Sequence, residues 1–93
     1  MDKQEYLSTI EEAMDVVVAK GEDYNSSGVE LQEYFPFGDW SYTQMLHLKV
    51  TRLRSLLGVE EPNFDSRKDT LVDLINYAVF YLSYLQQQEA SDE

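Results

Sequence analysis

The sequence predicts an all-α fold of three main helices arranged as a helical hairpin or bundle, and three observations carry that reading. Apolar residues recur with a helical period in three segments, residues able to cap a helix precede each segment, and a glycine follows each of the first two. The first segment runs from about Lys3 to Lys20. Asp2 stands where it can cap it, with Glu5 three residues on, and Gly21 closes it. Tyr6, Ile10, Met14 and Val17 share one face, with Leu7 and Val18 beside them. Residues 21–39 hold Gly21, Gly28, Pro36 and Gly38 among polar residues, so no helical period is expected there. Tyr24, Tyr34, Phe35 and Phe37 make this connection aromatic, and so long a connection in a small domain suggests a functional one.

The second helix is expected from Asp39 or Ser41 to Leu57, stopping at Gly58, with Tyr42, Leu46, Val50, Leu53 and Leu57 as its apolar stripe. Val59 to Phe64, with Pro62 and Asn63, reads as a short turn. The third helix opens at Asp65 or Ser66 and reaches Gln88, about 22 residues or roughly 33 Å at the helical rise. The acidic residues 89–93 are expected to fray. The whole chain, 1–93, reads as one domain.

The third helix has two apolar faces. Leu71, Leu74, Ile75, Ala78, Leu82 and Leu85 form one, while Tyr77, Phe80 and Tyr84 lie roughly opposite, with Asp69, Asp73 and Asn76 on their side. A helix apolar on two sides is expected to be central, covered by its own chain and by a second subunit, so the protein is expected to form a homo-oligomer through this helix.

Composition narrows the function. Eighteen acids against seven bases give a net charge of -11, which argues against direct binding to nucleic acid or to an anionic membrane. With 43% apolar and 13% aromatic residues the chain has enough to bury that it should fold. The absence of cysteine excludes disulfides, thiolate metal sites and cysteine catalysis. The N-terminal Met1-Asp2-Lys3-Gln4-Glu5 does not resemble a targeting signal. The longest near-apolar stretch, Tyr77 to Leu82, is far short of the ~20 residues a membrane helix needs. A cytoplasmic, soluble protein is the expectation.

Asp73 lies too deep in its helix for a favourable interaction with the helix dipole, and a carboxylate there requires a ligand or a structural partner. Asp69 fits either a dipole role or a ligand role. Lys49 interrupts an apolar stripe between Met45, Leu46, Leu53 and Leu56, and Arg52 lies on its margin. With Arg54 these bases form the one patch suited to an anion. Glu11, Glu12 and Asp15 lie on the side of helix one away from Ile10, as a solvated face would, with Glu11 nearest the core edge. His47 falls among polar neighbours and is given no role; Trp40 and the loop aromatics read as a small core. No glycine-rich phosphate loop, nucleophile elbow or zinc spacing occurs. The chemistry left is that of carboxylates, a Lys and Arg pair, and a metal such as Mg²⁺, which carboxylates and substrate phosphates hold together.

Four segments carry a family resemblance: Lys20-Gly21-Glu22-Asp23-Tyr24-Asn25, Tyr34-Phe35-Pro36-Phe37-Gly38, Lys49-Val50-Thr51-Arg52-Leu53, and Asp69-Thr70-Leu71-Val72-Asp73-Leu74-Ile75-Asn76-Tyr77. Over roughly residues 8 to 85 the chain resembles small phage and prophage proteins of the nucleotide-modification-associated group, which is similar to the MazG-like all-α nucleoside triphosphate pyrophosphohydrolases. The resemblance implies a helical, oligomeric, Mg²⁺-dependent enzyme cleaving a nucleoside triphosphate to monophosphate and pyrophosphate, in an infected or prophage-carrying bacterium. It further implies Glu11, Glu12, Asp15, Asp69 and Asp73 as metal ligands, with Glu11, Glu12 and Asp73 catalytic. Lys49 and Arg52 would hold phosphates, and Asn76, Tyr77 and Tyr24 would meet the sugar or base. The family's second acidic motif has Glu where this chain has Thr70.

Two rivals follow. One is a non-catalytic phage anti-defence protein that sequesters a signalling nucleotide, consistent with the missing Glu at position 70. The other is an acidic mimic of nucleic acid that occupies a host DNA-binding protein.

Overall fold

A computed structural model describes the backbone of residues 1–27, 31–61 and 66–92, and the side chains of 1–19, 31–61 and 66–91. The described residues are all-helical, with three α-helices and no strand: α1 (Lys3–Ser27), a single 3₁₀ turn (Leu31–Tyr34), α2 (Asp39–Ser55) and α3 (Arg67–Asp92). None of these helices is long and apolar enough to cross a membrane. The chain forms two compact units, Met1–Pro36 and Phe37–Glu93. The expected residues 28–30 of the first connection and 62–65 of the second turn lie outside the described residues.

In the first unit, the Asp2 carboxylate accepts the Glu5 amide at 2.8 Å, the cap that the sequence predicts. The helix does not stop at Gly21 but continues to Ser27. Glycine ends a helix by adopting positive φ, and among the described residues the positive-φ glycines are Gly38 and Gly58. At Gly21 the backbone stays helical, and the residue costs only about 1 kcal/mol relative to alanine.

In the second unit, α2 and α3 form an antiparallel hairpin. Its register is read from Asp39 against Tyr81, Tyr42 against Tyr81 and Tyr84, and Lys49 against Asp73. A tight turn precedes α2: the Trp40 amide donates to the Phe37 carbonyl at 3.2 Å, and the Phe37 amide donates to Ser41 Oγ at 2.9 Å. Gly38, at φ 54° and ψ -124°, takes a conformation that a side chain disfavours. The turn carries Trp40, 82% exposed, beside the exposed Phe37. At the other end α2 stops at Ser55, two residues short of the expected Leu57: amides of Leu56, Leu57 and Val59 close successive tighter turns, and Gly58 takes φ 86° just beyond them.

Helix α3 opens on a reciprocal cap. Ser66 Oγ accepts the Asp69 amide at 3.1 Å and donates to Asp69 Oδ2 at 2.9 Å, while the Ser66 amide donates to the same oxygen at 3.2 Å. The helix runs to Asp92, past the expected end at Gln88. Gln86, Gln87, Gln88, Glu89 and Ala90 are all good helix formers, and Ser91 Oγ bonds back to the Gln87 carbonyl at 3.0 Å. Between α2 and α3 are buried Tyr42, Leu56, Thr70 and Asn76. The two expected faces of α3 differ in cover, and Leu74 and Ile75 of the aliphatic one are half-buried. Asp73, Tyr81 and Tyr84 engage α2, and Leu71, Ala78, Leu82 and Leu85 remain exposed.

Candidate functional site

The interruption of the α2 stripe at Lys49 and the deep acid of α3 resolve into one contact. Lys49 Nζ donates to Asp73 Oδ2 at 3.0 Å, and the two side chains are 21% and 18% exposed. In that half-buried setting a lone charge would be costly, and each group offsets the other's loss of water. The ammonium also lies 5.8 Å from the centroid of the Tyr77 ring, where the π-face attracts a cation. Phe80 meets Tyr77 edge-on, with centroids 5.9 Å apart and planes at 88°. Asn76 is buried three residues after Asp73, and Arg52 is half-buried one turn beyond Lys49. Five of the residues predicted to serve a ligand, Lys49, Arg52, Asp73, Asn76 and Tyr77, therefore belong to one hairpin.

Asp69 gives its carboxylate to the Ser66 cap, the first-turn role open to it in the sequence. Thr70 is buried, its hydroxyl donating to the Ser66 carbonyl at 2.8 Å. Glu11, Glu12 and Asp15 are exposed on α1 in the first unit, Glu11 included despite its place near the core edge in the sequence. Tyr24 lies within α1, but its side chain is outside the described residues. Among the described residues no three His, Asp or Glu side chains cluster as metal ligands would.

A second constellation has only a faint signal in the sequence. Tyr42 stacks on Tyr81 with centroids 5.2 Å apart and planes at 7°, and Tyr84 closes on Tyr42 at 5.1 Å. Tyr81 donates its hydroxyl to Asp39 Oδ1 at 2.8 Å, tying the start of α2 to the far part of α3. Burial, and then the nearby Tyr84, push the Tyr42 hydroxyl above the ordinary tyrosine range. The hydrogen bond to Asp39 is the main cause of the same rise at Tyr81, since it is lost when the phenol ionises. The spacing of Tyr77, Tyr81 and Tyr84 marks one helical face, but nothing local pairs Asp39 with a residue so far along the chain.

Apolar side chains of Leu53, Leu56, Val59 and Leu71 floor a depression of about 510 Å³ at the end of the hairpin where α2 leads into α3, with Arg67 and Lys68 on its rim. No family model, curated protein or solved structure matches this chain.

Proposed function

We propose that the protein binds a nucleoside triphosphate or related phosphorylated nucleotide together with Mg²⁺, at the hairpin patch of Lys49, Asp73, Asn76 and Tyr77. One observation supports the reading above others, the half-buried Lys49–Asp73 contact beside an aromatic ring. A magnesium–phosphate pair matches this contact charge for charge: the ammonium can pass to a phosphate oxygen while the carboxylate passes to the cation. The exchange leaves no charge unpaired, as a half-buried site demands. Asp73 would be one protein ligand and phosphate oxygens the others, which suits Mg²⁺. The bound metal would neutralise phosphate charge and polarise the phosphoryl group. Arg52 would add a second phosphate contact, and Asn76 and Tyr77 would meet the sugar or base.

In its catalytic form the reading is MazG-like cleavage to monophosphate and pyrophosphate. Self-association through α3 belongs to the same reading. A second reading, capture of a nucleotide without turnover, is favoured by the engagement of Asp69 in a cap and by the buried Thr70 in place of a Glu.

The test incubates the pure protein with a nucleotide panel and Mg²⁺, passes it through a size filter and analyses both fractions by chromatography. Monophosphate and pyrophosphate mean the enzyme, and an intact nucleotide retained with the protein means capture. Free passage of every nucleotide refutes both. Asp73→Ala and Lys49→Ala should each abolish retention while circular dichroism reports intact helices. Unchanged affinity in both folded variants refutes the site. Unfolding of both assigns the pair to structure, because an orphaned half-buried charge destabilises the hairpin.

A further inference from the structure

The face of α3 turned from Asp73, Tyr81 and Tyr84 carries a pattern of its own, whose first member, Leu71, also floors the depression beside Leu53 and Leu56. Leu71, Ile75, Ala78, Leu82 and Leu85 follow alternating steps of four and three residues, the spacing of a helix that packs along another helix. Leu71, Leu82 and Leu85 are exposed, Leu82 by 57%, and Val79 beside them is exposed too. From Leu74 to Gln88 the helix carries no charged side chain, in a chain whose net charge is -11. An uncharged strip on so acidic a protein is a side by which another copy could approach without carboxylate repulsion.

Two further features say what covers it. The stripe is nearly symmetric about its smallest member: Leu71 and Leu85 lie seven residues either side of Ala78, and Ile75 and Leu82 three and four. A two-fold interface requires such self-complementarity, and a small residue at the crossing lets two helices approach closely. The ends of the stripe carry opposite charge, Arg67 eleven residues before Ala78 and Glu89 eleven after, both exposed and, at about 100° per residue, each within about 20° of Ala78 in direction. A parallel pair would set Arg67 against Arg67 and Glu89 against Glu89. An antiparallel pair sets each arginine against a glutamate.

We infer that a second copy of this chain docks on the outward face of α3, antiparallel and crossing at Ala78, so that two α2–α3 hairpins join with their α3 helices at the centre. Among the described residues of the second unit the fully buried apolar side chains are Tyr42 and Leu56, and the docked hairpin would add a layer to so thin a core. This inference rests on the self-association named above and not on nucleotide binding.

The chain has no cysteine, so single cysteines report without background. Under mild oxidation of the full chain at tens of micromolar, Ala78→Cys should trap a covalent dimer of two 10.8 kDa chains. Ser83→Cys, exposed and away from the stripe, should trap little. In sedimentation equilibrium Leu82→Glu should be monomeric with its helices intact. Arg67→Glu and Glu89→Arg should each weaken association roughly tenfold, and the double variant should recover most of it. Within one helix these two positions are roughly 33 Å apart, so compensation between them reports contact across the interface. Four results would overturn the inference: a folded wild-type chain that stays monomeric, a dimer that Leu82→Glu leaves intact, equal cross-linking at positions 78 and 83, or charge reversals whose effects add. A monomer would leave the face to a different protein. Association is read without nucleotide, and nucleotide retention is read on the Leu82→Glu monomer, so each reading can fail alone.

Discussion

Replacing Gly38 by alanine should destabilise the second unit well beyond the usual effect of a surface glycine substitution. Two costs combine. At φ 54° and ψ -124° a residue with a Cβ is strained by about 1–3 kcal/mol, reduced by about 0.4–1 kcal/mol because alanine has less freedom to lose from the unfolded chain. The new Cβ would also lie 2.6 Å from the Tyr84 hydroxyl oxygen and 3.3 Å from Cζ, so the ring must move. Moving it loosens the 5.1 Å contact with Tyr42, worth about 0.5–1.5 kcal/mol. The sum is about 2–3 kcal/mol, or a fall in Tm of roughly 10–20 °C for a domain of this size. Gly58→Ala is the control. Its φ is 86° but nothing lies within 4 Å of its Cβ, so it should show the backbone cost alone, about 1 kcal/mol. Tyr84→Phe removes the oxygen in the way, and Gly38→Ala/Tyr84→Phe should recover about 0.5–1 kcal/mol relative to the sum of the single effects. Urea denaturation followed by far-ultraviolet circular dichroism measures all four chains. Equal losses at Gly38 and Gly58, or strict additivity with Tyr84→Phe, would refute the steric argument.

Two more outcomes follow from the hairpin's ends. The hydroxyls of Tyr42 and Tyr81 are raised in the folded state, so the unfolded chain gives up these protons first as the pH climbs. Their contribution to stability is whole below pH about 10 and is lost as the pH rises through their folded values. Ultraviolet titration should show these two tyrosines ionising late, and Asp39→Asn should bring Tyr81 back toward the ordinary range; an unchanged curve would mean that the Asp39 contact is not made in solution. At the other end, Ser66→Ala should cost about 1 kcal/mol by removing the reciprocal cap of α3. A urea midpoint unchanged from the parent would mean that Asp69 is free for another role.

The helices were legible because their period and their caps are local. Asp2, Ser66 and Gly58 act within a few residues of where they stand, and each does what its type and position imply. Gly21 misleads because glycine permits positive φ without requiring it, and the choice belongs to the chain that follows. The Lys49–Asp73 contact was half legible: each residue breaks an apolar pattern, so each needed a partner, and the antiparallel register made them each other's. The tie between Asp39 and Tyr81 was not legible, since Asp39 reads adequately as the opening residue of a helix. Nothing within its own helix asks for a hydroxyl 42 residues away.

Trp40 is the chain's single tryptophan, and it stands 82% exposed on a turn stiffened by Gly38 and Ser41. Its indole already meets water in the folded protein, so its emission has little room to shift when the helices melt, and it is a poor witness to unfolding. The same position makes it a sensitive witness to contact. Any molecule that settles on the open end of the hairpin, where α2 begins, would dry the indole, shift its emission to the blue and shield it from a dissolved quencher, giving the protein a built-in optical probe at one end.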